Sequence, residues 1–72
     1  MLLVTRKFHI EDRASGRIVA TGEIGADGHA VWDETDASLS EELSDLAEEI
    51  QQQIASDYSG GQLRHPLEWF EL

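Results

Sequence analysis

Apolar and polar residues alternate from Leu2 to Glu11: Leu2, Val4, Phe8 and Ile10 share one face, and Leu3, Thr5, Lys7, His9 and Glu11 the other. This two-residue period is that of a half-buried strand, and Arg6 is the one charged residue on its apolar face. Asp12-Arg13-Ala14-Ser15-Gly16 supplies turn chemistry, with Gly16 able to take a positive φ. From Arg17 to Ile24 the alternation resumes, with Ile18, Ala20, Gly22 and Ile24 on one face. A hairpin is predicted, and two registers compete for it. Setting Ile10 against Ile18 places Phe8 opposite Ala20, Arg6 opposite Gly22 and Val4 opposite Ile24, so that one face stays apolar apart from Arg6. A four-residue loop closing Asp12 on Arg17 shifts the pairing by one and puts Ile18 against Glu11, which the period penalises. The first register is expected, with a bulge at Gly16.

Gly25-Ala26-Asp27-Gly28 is a second turn signal, and His29 to Asp33 reads as a third strand with Ala30 and Trp32 on one face. Further on, Leu39, Leu43, Leu46, Ala47, Ile50, Ile54 and Tyr58 recur at steps of three and four, the stripe of an amphipathic helix. Ser38 and Glu41 have the spacing of a capping box, and Gly60-Gly61 is a helix terminator. Strands near 2–11, 17–24 and 29–33 and a helix near 38–58 follow. The core should bring Leu43, Leu46, Ile50 and Ile54 against Phe8, Ile10, Ile18 and Ala20. The tail from Arg64 to Leu72 carries Pro66, Leu67, Trp69 and Phe70, residues compatible with an edge strand or a helical turn; its aromatics require it to dock. The predicted fold is α+β, a three-stranded antiparallel β-meander with one long amphipathic helix on one face (βββα) and a short docked C-terminal segment, all in one small acidic domain spanning 1–72.

The chain has 72 residues and no cysteine, so packing alone must stabilise a domain that buries only about 60% of its unfolded surface. The apolar start Met1-Leu2-Leu3-Val4 is cut by Thr5-Arg6-Lys7, short of the roughly 7–15 residue apolar region of a signal peptide. There is no apolar run of about 18 residues to span a membrane, and a cytoplasmic protein is expected.

Charge changes the picture most. Residues 1–17 carry Arg6, Lys7, Arg13 and Arg17 against Glu11 and Asp12, whereas residues 18–72 carry thirteen acids against Arg64 alone, giving a net charge of −10. Such a surface repels nucleic acid and anionic membrane, which are bound by lysine and arginine. The expected partner is a protein with a basic surface, with no direct nucleic-acid or membrane binding. Excess acid also keeps a small protein soluble, so charge by itself does not define a site.

His9, His29 and His65 lie in three different elements, and no pair has the spacing of a helical zinc site. Asp33-Glu34-Thr35-Asp36 lacks the ladder of an EF-hand, and its acids suit a helix N-terminus. No serine lies in a nucleophile elbow or an S-x-x-K pair, and the glycines form neither a dinucleotide fingerprint nor a Walker loop. No catalytic, cofactor-binding or metal-ligating set is therefore assigned. The candidate binding residues are Glu41, Glu42, Asp45, Glu48 and Glu49 on the helix, and Trp69 and Phe70 in the tail. Glu41, Asp45 and Glu49 are like charges at i, i+4 spacing, each pair costing the helix about 0.2–0.5 kcal/mol. A non-catalytic protein-binding or regulatory module using this acidic face is the leading expectation. One alternative is a DNA mimic that inhibits a nucleic-acid-binding protein, since i, i+4 carboxylates advance by about 6 Å, near two phosphate steps of about 3.4 Å. The other is an accessory subunit or homodimer using Trp69, Phe70 and Leu72; the chain is a monomer or a homodimer on these readings.

Overall fold

The alternation in the first third of the chain does build a hairpin: a computed structural model, which describes residues 5–25 and 27–72, gives β1 as Thr5–Asp12 and β2 as Arg17–Gly25. The pairing is Arg6 with Ile24, Phe8 with Gly22 and Ile10 with Ala20, then Glu11 with Ile18 and Asp12 with Arg17. The expected register of Ile10 against Ile18 is thus corrected to the one closed by a four-residue loop. Local bonds decide this. The Asp12 carboxylate accepts the Ala14 N–H at 2.8 Å, the Asp12 carbonyl accepts the Gly16 N–H at 2.7 Å, and Gly16 takes φ 75°, a conformation that costs glycine nothing. The period penalty is absorbed at Val19, which faces no β1 residue. This bulge keeps Phe8, Ile10 and Ala20 on the core face and turns Ile18 to the other, where it is 56% exposed. The expected contact of Val4 with Ile24 lies outside the described residues.

The third strand, β3 (Ala30–Thr35), pairs with β2 and has a bulge of its own, Gly22 facing Trp32 and Thr21 facing Glu34 with Asp33 between. Glycine is required at position 22: a Cβ there would stand 2.7 Å from the Val31 carbonyl oxygen and 3.3 Å from the Phe8 ring. Without one, Phe8 and Trp32 meet edge to face, with centroids 5.5 Å apart at 83°, a favoured aromatic geometry.

Among the described residues the sheet has five strands, where a three-stranded meander is expected from the sequence. After the helix, β4 (Gly60–Gln62) and β5 (Leu67–Glu71) extend it in the order β3-β2-β1-β5-β4, each neighbour antiparallel. The tail is therefore a strand. It pairs Trp69 with Ile10 and Glu71 with Phe8, because the second edge of β1 has backbone N–H and C=O groups to satisfy and Leu67 and Trp69 complete its apolar face. Gly60 and Gly61 belong to β4 and do not end the helix.

The helix is also shorter than the stripe suggests. A 3₁₀ turn, Ala37–Leu39, precedes α1 (Leu43–Ala55). The capping box does not form, because the Asp36 carboxylate takes the Ser38 N–H at 3.2 Å and the Ser38 hydroxyl as well. These two bonds hold the Asp36 carboxyl below the usual carboxylate range. Glu42 stands at the N-cap of α1, with no side-chain capping bond. At the other end Asp57 takes φ 69°, and Asp57 and Tyr58 donate N–H to the carbonyls of Ile54 (2.9 Å) and Gln53 (3.0 Å). This closure is usually given to glycine, but aspartate tolerates it. Tyr58 is left exposed.

Leu46 and Ile50 bury the helix stripe against Phe8, Ile10, Ala20, Ile24, Leu67 and Trp69, with Leu39 and Leu63 closing the cluster; Leu43 and Ile54 are partly buried. Trp69, fully enclosed at 0% exposure, donates its indole N–H to Gln53 Oε1 at 2.8 Å. Arg6, the misfit of the apolar face, lies at its open end and makes a two-pronged contact with Glu71 of β5, Nε to Oε2 at 2.9 Å. The Glu71 carboxyl is held low and the Arg6 guanidinium high by these hydrogen bonds. No helix is long and apolar enough to cross a membrane among the described residues.

Candidate functional site

Three of the five cations are spent within the fold. Arg6 is held by Glu71; Arg13 meets Glu11 at 3.1 Å and Glu68 at 3.4 Å; Arg64 grips Glu42, Nη2 to Oε2 at 2.7 Å. The pairs lie on the sheet and at the start of α1. On the open face of the sheet, His9 tilts against Phe70 with centroids 5.4 Å apart, Thr5 donates to Glu23, and Glu11 and Glu68 share Arg13. That face is mixed in charge, and Glu11, Glu23 and Glu68 each have a partner on it.

The helix differs. Asp45, Glu48 and Glu49 are exposed, and among the described residues none of them makes an ion pair. Glu41 is exposed too, but it sits in the turn before α1, so the expected i, i+4 row from Glu41 loses its helical first member. Glu42 leaves the acidic face altogether: Arg64 draws it toward the β4–β5 turn and holds its carboxyl below the usual range. Asp45 lies in the first turn of α1, where the helix dipole favours it. The candidate acidic face is therefore Asp45, Glu48 and Glu49, with Glu41 beside its N-terminal end.

The two aromatic candidates separate. Trp69 is sealed in the core and presents no surface to a partner, because β5 is an inner strand with the helix over it. Phe70 points to the open face and is partly covered by His9. Leu72 is 70% exposed.

A feature the sequence reading missed adjoins the acidic helix. A groove of about 710 Å³ runs between α1 and β3, with Ala30, Trp32, Leu43 and Ala47 as its apolar lining and Glu48 on its wall. The residues were legible as stripe and strand members. Their meeting at an edge was not, because it depends on β3 having no neighbour beyond it among the described residues. A smaller groove of about 370 Å³ at the Arg6 end is floored by Ile24 and Ile54. No group of three or more histidine, aspartate and glutamate side chains converges to hold a metal among the described residues. The chain matches no family model, and it has no significant match among curated proteins or solved structures.

Proposed function

We propose that this chain is a non-catalytic protein-binding module that presents the acidic face of α1 to a basic surface on another protein. The observation that carries the reading is the contrast between matched and unmatched charge. Three of the five cations, Arg6, Arg13 and Arg64, are committed to carboxylates of the sheet and of Glu42, while Asp45, Glu48 and Glu49 stay exposed with no basic residue between Arg17 and Arg64 to relieve them. Unrelieved exposed charge attracts opposite charge from solution and raises association rates. The 13 residues of α1 span about 20 Å at about 1.5 Å per residue. That suits one basic groove or patch better than the length of a duplex.

The test is binding of an octalysine peptide followed by anisotropy, at low and moderate salt, to the parent chain and to a variant with Glu41, Asp45 and Glu48 all changed to glutamine. The variant should keep its circular dichroism, since the three side chains face solvent. Its affinity should fall and lose salt dependence, because exposed charges act over a Debye length of about 8 Å at physiological ionic strength. Equal affinity of the two proteins at both salts would remove the electrostatic reading.

A further inference from the structure

β3 is the outermost strand on its side of the sheet, and among the described residues nothing pairs with its outer edge. The Gly25 N–H donates to the His29 carbonyl at 3.0 Å. Alternation of an antiparallel ladder from that bond turns the N–H and C=O of Ala30 and Trp32 away from β2, toward the free edge. Directly beside them lies the groove of about 710 Å³ whose far wall is Leu43, Ala47 and Glu48 of α1. An open row of backbone donors and acceptors next to an apolar trough is what strand addition requires: the ladder supplies affinity and the trough reads every second side chain.

The charge around this edge selects the occupant. Asp33 and Glu34 of β3 and Glu48 on the groove wall are exposed. Edge strands are commonly guarded by lysine; this one is guarded by acid. A second copy of the chain pairing through β3 would bring two sets of Asp33 and Glu34 into one short ladder, and like charges facing across strands are destabilising. A cationic strand meets no such penalty.

We infer that β3 receives an extended basic segment of a partner protein as a sixth strand. The segment lays alternate apolar side chains into the groove against Trp32, Leu43 and Ala47. Its lysines or arginines, turned to the other face, lie beside Asp33 and Glu34. The inference rests on the basic-partner reading above, and it adds the place and the conformation in which that partner is held.

The probe is an alternating Lys-Val octapeptide, compared with the same peptide N-methylated at every backbone amide, which keeps its charge and side chains but cannot complete a ladder. The octapeptide should bind the unaltered chain at least about tenfold more tightly than its methylated form, the equivalent of one or two backbone hydrogen bonds. On binding it should shift the emission of Trp32, a change that Trp32→Phe abolishes. Ala30→Pro removes an outward N–H at a position where an edge strand tolerates proline, and it should bring the octapeptide down to the methylated level. If that variant does not fold, the comparison of the two peptides on the unaltered chain still decides. Equal, salt-sensitive affinity for both peptides would overturn strand addition and leave the charge reading standing; binding of neither would overturn both. A dimer in solution that Ala30→Pro dissolves would assign the edge to a second copy and overturn the proposal.

Discussion

Gln53 joins three elements through one amide: its Oε1 accepts the Trp69 indole N–H at 2.8 Å, and its Nε2 donates to the Gln62 carbonyl at 3.0 Å. The two bonds are unequal in consequence. Trp69 is fully buried, so Gln53→Leu leaves its N–H without an acceptor at a cost of about 1–3 kcal/mol. Gln62 is exposed, and water replaces the bond to its carbonyl at little cost. Taking about 2 kcal/mol and the roughly 4–8 °C per kcal/mol of a domain this size, Gln53→Leu should lower Tm by roughly 8–16 °C. Gln53→Glu separates the terms, since a carboxylate still accepts from the indole. Its penalty is the lost bond to Gln62 plus repulsion from Glu49 one turn away, about 0.2–0.5 kcal/mol, so it should melt well above the leucine variant. Thermal melts by circular dichroism give the ranking, and the exchange rate of the Trp69 indole proton reports the bond itself. A leucine variant that melts with the parent, or a glutamate variant that melts below the leucine variant, would refute this account of how α1 is tied to β4 and β5.

Leu46→Ala removes a side chain that is 2% exposed at the centre of the helix–sheet contact; it should cost about 2–5 kcal/mol, and an unchanged urea midpoint would contradict the core described here. The Arg6–Glu71 pair makes stability pH-dependent in one direction. Because the folded Glu71 carboxyl is held below its ordinary value by Arg6, its contribution is full above the unfolded carboxylate pKa of about 4.3 and is lost as pH falls through the lower folded value. The Tm gap between parent and Arg6→Gln should therefore be constant above about pH 5 and close in stronger acid; a gap that persists unchanged under strong acid would sink the pair's electrostatic role.

Periodicity made the hairpin, the third strand and the amphipathic helix legible, because each buries one face and declares it. What escaped was decided by competition between neighbours. The loop register turned on Asp12 and Gly16 bonding within the turn, and the bulge at Val19 then repaired a misalignment that a strict two-residue period forbids. The helix start turned on Asp36 capturing Ser38 before Glu41 could. Gly60 and Gly61 have poor strand propensity and extend only because β5 offers them a ladder, and β5 is a strand because β1 has a second edge to satisfy. The acidic residues were legible as a set, but not that Arg64 would withdraw Glu42 from it or that Glu48 would wall a groove at the edge of the sheet.

The charge reading is tested most directly by location. Carboxylates lie on both sides of the molecule: Glu11, Glu23 and Glu68 on the open face each have a hydrogen-bond or ion-pair partner there, whereas Asp45, Glu48 and Glu49 on the helix have no ion-pair partner among the described residues. Titrating the isotopically labelled chain with octalysine and following side-chain carboxyl carbon shifts compares the two faces in one experiment. The account predicts salt-sensitive shifts at Asp45, Glu48 and Glu49 with the open face silent. Shifts concentrated at Glu11, Glu23 and Glu68 would contradict it.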